Sequence, residues 1–291
     1  MRPSGRGAAG AAPMMRVCSA SAAAPGRLEN EDHVFRYGEL VGVLDGATVP
    51  DGFDTGCVHG PAWYVRRLAA RLGLAAADRP AAALTGNLAA AILAVRADHD
   101  GACDLDHPGT PSATVCLLRH GGDSVDYLVL CDSPLVLDLG ERIEVVSDER
   151  LRTAMADLRQ KATTVARVGG EVDPATRFRR AVALQREQMN QTHGYWVAAA
   201  NPDAAYHAVA GSLPLHGPGR VRRAALLTDG ASVAVEQFGL FDWRGLLDLL
   251  SEAGPGELIR RVRLVEAGDG QRRSGFKRHD DATAVLCEFD A

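Results

Sequence analysis

An aspartate closes an apolar run at three places in this chain, and another stands at the head of a fourth. The run 40–44 ends at Asp45-Gly46, the run 127–131 at Asp132-Ser133, and the run 224–228 at Asp229-Gly230. Asp280-Asp281 precedes the run 282–286. Runs this short and this rich in Val and Leu read as buried strands. A carboxylate at the end of a buried strand is costly to desolvate unless something pairs it. Four such ends therefore imply convergence on one shared positive charge. Carboxylate and carbonyl oxygens suit a hard divalent cation, Mg²⁺ or Mn²⁺.

The elements that must position these groups follow from hydrophobic spacing. Strands are expected over 15–24, 33–37 and 40–44, with a polar loop at 26–32. Trp63, Tyr64, Leu68 and Leu72 recur at helical spacing over 60–74, and Leu84, Leu88, Ile92 and Val95 do so over 80–97. Two hairpins are expected, 113–118 with 124–131 and 135–139 with 142–146. Charged helices fit 148–165 and 175–189, and a strand fits 194–200. The segment 207–214 is less regular, the strand ending at Thr228 follows, and helices fit 241–253 and 256–267 before a last strand. Hairpins imply antiparallel sheets, and long amphipathic helices imply outer layers. The fold class expected is α+β, a four-layer α-β-β-α sandwich.

Composition narrows the class. The chain has 291 residues, 46% of them apolar, and a net charge of −5, which argues against nucleic acid as the main partner. Its only lysines are Lys161 and Lys277. The six cysteines form no C-x-x-C pair. They read as reduced thiols of a cytoplasmic protein, and zinc is not expected. Cys57-Val58-His59-Gly60 has no second Cys/His pair beside it and reads as a helix start. No run is long enough for a membrane span. Residues 1–14, rich in Ala and Gly, are expected to be a disordered tail, and 15–291 a single, monomeric catalytic domain.

The ordered set Asn30-Glu31-Asp32, Val43-Leu44-Asp45-Gly46, Cys131-Asp132-Ser133, Leu227-Thr228-Asp229-Gly230 and Asp280-Asp281-Ala282-Thr283 resembles the motifs of the metal-dependent protein phosphatases. These are the PPM, or type 2C, serine/threonine phosphatases, here in a divergent bacterial-type form. Each motif alone is common; five in order from about Arg27 to the end are specific together. The resemblance implies hydrolysis of phosphoserine and phosphothreonine in proteins by a water activated at a binuclear Mn²⁺/Mg²⁺ centre. Asp45 then bridges the two ions, the Gly46 carbonyl adds a ligand, and Asp229 and Asp280 complete the direct set. Glu31 matches a residue acting through metal-bound water, and Asp32 one that hydrogen-bonds the water nucleophile. Arg27 stands where the family places its phosphate-binding arginine.

The chain also departs from the family pattern. Ala47 stands where members often carry a histidine, and Val233 where many carry an aspartate for a third metal. Asp132 matches the other ligand of that third site, so a third ion lacks its usual partner here. Asp280 and Asp281 compete for one ligand position, with the pattern favouring Asp280. Residues 190–198 replace the usual Ser-Arg-Ala-X-Gly-Asp stretch. Two other readings stay open: a pseudophosphatase binding module, and a phosphatase of a small phosphorylated metabolite.

Overall fold

The computed structural model describes residues 15–166, 174–268 and 279–290. The expected tail at 1–14 lies outside these residues. One antiparallel sheet is built from β2 (Asp32–Tyr37), β3 (Leu40–Gly46), β4 (Ala113–His120), β5 (Ser124–Leu130) and β8 (Val209–Pro214), in that order. The other runs β1 (Met15–Ala22), β10 (Ala282–Phe289), β9 (Arg223–Leu227), β6 (Leu135–Asp138) and β7 (Ile143–Val146). Helices α1 (Pro61–Asp78) and α2 (Leu84–Asp98) cover the first sheet. Helices α5 (Asp229–Glu236), α6 (Trp243–Ala253) and α7 (Pro255–Ala267) cover the second. Between β7 and β8 lie α3 (Arg150–Ala166), α4 (Pro174–Arg186) and a 3₁₀ turn, Pro202–His207.

Alternation along the strands produces the layering. On β3, Leu40 and Leu44 face α1 and α2, whereas Val41 and Val43 face the opposite sheet. On β10, Ala284 and Leu286 pack under α5, α6 and α7, whereas Val285 and Cys287 join the layer between the sheets. These three apolar layers make the expected α-β-β-α sandwich. Both strands of a pair such as β3 and β4 are buried on both faces, which is why they read as continuous apolar runs.

Three expectations need correction. Residues 194–200 are not a strand; Ala198 makes only an isolated bridge to Ala113. The less regular stretch at 207–214 contains β8, an edge strand with mostly exposed side chains. The segment after Asp229 is α5, unseen in sequence because it is only 8 residues long. Its small residues and Val233 face the core, so no long polar face marks it as amphipathic.

Candidate metal centre

The expected carboxylates meet at one end of the two sheets. Asp32 opens β2 and lies opposite Asp45 of β3 in register. Asp229 is the first residue of α5, directly after β9, and Asp280 precedes β10. Strand ends thus deliver the acids, and β9 and β10, paired Leu227 to Ala284, place two of them side by side. Burial, and then the charges of Asp32, Asp229, Asp280 and Asp132, hold the Asp45 carboxyl well above the usual range. Five carboxylates with no cation among them are mutually destabilising. Such an arrangement is expected only where a cation compensates it.

Asp32 is the best-fixed member. It is 5% exposed, and burial pushes its carboxyl up to about 8 against hydrogen bonds from Thr283 and Thr228 that favour the charged form. Thr228 Oγ1 donates to Asp32 Oδ2 at 2.9 Å, and Thr283 N donates to Thr228 Oγ1 at 2.9 Å. Thr283 Oγ1 lies 2.7 Å from Ser21 Oγ, which accepts from Asn30 Nδ2 at 2.7 Å. Asn30 Oδ1 in turn accepts from the Asp32 amide at 3.0 Å. The other carboxylate oxygen, Asp32 Oδ1, is buried with no hydrogen-bond partner among the described residues. A buried acceptor left over in a carboxylate cluster fits a cation or a water held by one.

Asp280 and Asp281 differ in their hydrogen bonding. Both oxygens of Asp281 are used by backbone: Oδ1 accepts from Ala24 N at 2.7 Å and Oδ2 from Glu31 N at 2.5 Å. Asp281 is therefore the fastener of the loop that carries Arg27 and Glu31. Asp280 is the member whose charge reaches Asp45. From the far side, Arg263 of α7 donates to the Asp280 carbonyl at 2.8 Å and pairs with the buried Glu266 at 2.8 Å.

Two glycines beside the acids are there for close approach. A Cβ at Gly46 would stand 2.7 Å from the Glu31 carbonyl oxygen and 3.0 Å from Pro61 Cβ. A Cβ at Gly230 would stand 1.8 Å from the Asp281 carbonyl oxygen, a backbone atom that cannot step aside. Gly230→Ala is expected to destabilise the protein by about 4 kcal/mol or more, because backbone must move. Urea denaturation checks it; a loss under about 1 kcal/mol would show that the β9–α5 turn adapts.

The remaining expected residues divide. Glu31 accepts from the Thr48 hydroxyl and feels the charge of Arg186. Arg27 is exposed and lines a cavity of about 630 Å³ with Thr48, Asp51, Arg179 and His279. Asp132 reaches Asp45 electrostatically, but its own carboxyl is raised by burial and by Glu236 and Asp148. Val233 is fully buried in the apolar layer and offers no oxygen. The carboxylate next to Asp132 comes instead from Glu236, which accepts from Ser232 Oγ at 2.8 Å and pairs with Arg152 at 3.2 Å. Cys131, just before Asp132, has φ +71°, a left-handed conformation costly for a residue with a side chain. His193 is exposed.

Several supporting residues carry no signal in sequence. Arg186 is 4% exposed and donates to Thr110 O at 3.1 Å, Ser112 Oγ at 2.9 Å and Ala47 O at 2.9 Å. It fastens the residue after Asp45-Gly46, yet in sequence it is one arginine among many. The expectation that Cys57 and His59 lack a partner pair fails, since His99 and Cys103 lie beside them. Those two are about forty residues away in sequence, so spacing rules could not join them.

The fold is the one found in solved PPM-type serine/threonine phosphatases. The catalytic domain of the serine/threonine phosphatase PstP, crystallised with two manganese ions, superposes with a TM-score of 0.57 at 16% identity, over 95% of this chain and 99% of that one. The Mycobacterium smegmatis PPM phosphatase MsPP, in complex with cacodylate, gives 0.53 at 19% identity over 94% and 97%. The Staphylococcus aureus phosphatase Stp1 gives 0.53 at 13% identity over 96% of each chain. No protein-family model matches the sequence, and no curated protein is a significant match. Among the described residues no helix is long and apolar enough to cross a membrane.

Proposed function

We propose that the protein is a metal-dependent phosphatase of phosphoserine and phosphothreonine in proteins. The observation that carries this reading is the convergence of Asp32, Asp132, Asp229 and Asp280 on Asp45 at the end of this sandwich. Two Mn²⁺ or Mg²⁺ ions fit the donor set, with Asp45, the Gly46 carbonyl, Asp229 and Asp280 as direct ligands. Glu31 would act at one remove, and Asp132 would serve a weaker third position. When bound, such ions supply an activated water and charge neutralisation for phosphoryl transfer.

The chain's own residues supply the rest. The network of Thr228, Thr283, Ser21 and Asn30 orients Asp32, leaving Oδ1 to accept a proton from an attacking water. Arg27 and Arg179 line the cavity, where their guanidinium groups would hold a phosphate dianion. The cavity is open enough for a phosphorylated side chain on a peptide. Ala47 provides no proton donor, so the leaving alkoxide must take its proton from elsewhere; His279 lines the same cavity.

With Mn²⁺ the purified protein is expected to hydrolyse a phosphothreonine peptide and para-nitrophenyl phosphate, and EDTA should stop both reactions. A sample that binds Mn²⁺ yet turns over neither substrate, nor a panel of phosphorylated metabolites, would identify a binding module instead.

A further inference from the structure

A second cluster of potential ligands lies away from the carboxylates, where α1 begins and α2 ends. Cys57 and His59 belong to the segment leading from Asp45-Gly46 into α1. His99 caps the C-terminus of α2, and Cys103 follows it. One ligand atom from each of the four lies within 4.8 Å of all the others. Cys57 Sγ is 3.6 Å and Cys103 Sγ 3.5 Å from His59 Nδ1, and the two sulfurs are 3.0 Å apart. Tetrahedral zinc with ordinary bond lengths places sulfur about 3.6 Å from nitrogen and about 3.8 Å from sulfur. The sulfur–nitrogen separations match. The sulfur–sulfur separation is shorter than that figure, and far beyond the bond of about 2.04 Å in a disulfide.

His99 is the independent indicator. It is 4% exposed, and its Nδ1 lies 2.8 Å from the Val95 carbonyl, which fixes the ring N–H on that side. Nε2 is then a bare acceptor, and it is buried without a hydrogen-bond partner among the described residues. A backbone carbonyl behind a ligating imidazole is the usual outer support of a metal site. The His59 amide donates to Cys57 Sγ at 3.3 Å. Trp63 stacks on His59 with ring centres 3.9 Å apart and meets His99 edge-on at 4.8 Å, shielding one side from water.

We propose that Cys57, His59, His99 and Cys103 form a closed, structural Zn²⁺ site. Two thiolates and two neutral imidazoles fill the four positions, and the two thiol protons leave as the ion binds. Soft sulfur donors select zinc over the hard cations suited to the carboxylate centre, so the two sites take different metals. The ion staples the start of α1 to the end of α2. It also pins the segment 47–60 against 99–112, which already meet where Asp104 N donates to Gly56 O at 2.7 Å. The first segment follows Asp45-Gly46 directly and the second leads into β4, so the staple braces one wall of the carboxylate centre.

The test is zinc content by mass spectrometry of protein purified under reductant and briefly exposed to EDTA. Wild type and Asp45→Asn should each retain about one zinc per chain, and Cys103→Ser and His99→Gln should fall about tenfold. Should these variants fail to fold, mercurial titration of wild-type thiols with a zinc indicator should release about one zinc as two thiols react. Cobalt exchange should give the intense visible bands of a tetrahedral thiolate site. Three outcomes would overturn the proposal: wild type that neither carries nor takes up zinc, a Cys57–Cys103 disulfide in protein from reduced cells, or unchanged zinc content in both variants.

Discussion

Asp45→Asn is expected to lower Mn²⁺-dependent phosphatase turnover on the order of 10³-fold or more, because the centre loses the carboxylate on which the other four converge. The same substitution should raise the stability of the metal-free protein. Asp32 and Asp45 are both held above the usual carboxylate range of the unfolded chain. A group with a raised folded pKa leaves stability intact below its unfolded pKa, near 3.8, and costs stability as pH rises towards the folded value, about 8 for Asp32. In EDTA the melting temperature of the wild type should therefore fall between pH 5 and pH 8. Mn²⁺ should restore it most at the upper end. Asparagine at position 45 cannot ionise, so it escapes its own share of that penalty and relieves its neighbours. The gain at pH 8 should be on the order of 1–3 kcal/mol, roughly 2–10 °C. Thermal melts with and without Mn²⁺ measure both effects. A variant that is inactive and also unstable in EDTA would mean that Asp45 is a structural carboxylate.

The acids of this centre were legible in sequence because each sits at the end of a strand with its own apolar signature. Strand ends are where two buried sheets must meet solvent, so an aspartate placed there reports function more than packing. The grouping of Asp45, Asp229 and Asp280 needed only that signal. The choice between Asp280 and Asp281 did not follow from it, since both stand just before β10. It rests on which carboxylate is consumed by the Ala24 and Glu31 amides, a contact between the two ends of the chain. Arg186 was invisible for a related reason: its partners are backbone carbonyls and a hydroxyl, which carry no sequence code. The cluster of Cys57, His59, His99 and Cys103 was misjudged by distance along the chain. Helices α1 and α2 form an antiparallel hairpin, and that hairpin brings its two outer ends together. Residues 194–200 misled in the opposite direction. Their apolar content reflects burial of Tyr195 and Val197 against α3 and of Trp196 and Ala198 in the layer under α1 and α2, not pairing into a sheet.

Asp281→Ala is expected to be strongly destabilising while sparing the proposed metal ligands. The carboxylate of Asp281 is 6% exposed and ends two backbone N–H groups, at Ala24 and Glu31, on either side of the Arg27 loop. Alanine leaves both donors without their acceptor, at about 1–3 kcal/mol each. The expected loss is about 3–5 kcal/mol, or roughly 8–15 °C in melting temperature. Asp281→Asn keeps one acceptor and should lose about half as much. The functional consequence separates this residue from a ligand. A freed loop lets Arg27 and Glu31 drift, so KM for a phosphopeptide should rise about tenfold, while Mn²⁺ affinity changes much less. Asp280→Asn should show the reverse pattern, with weakened Mn²⁺ binding and a small change in stability. Calorimetric Mn²⁺ titration alongside the kinetics of the two variants decides between them. If Asp281→Ala lost the metal and Asp280→Asn kept it, the assignment of the two adjacent carboxylates would have to be exchanged, and with it the account of what positions the Arg27 loop.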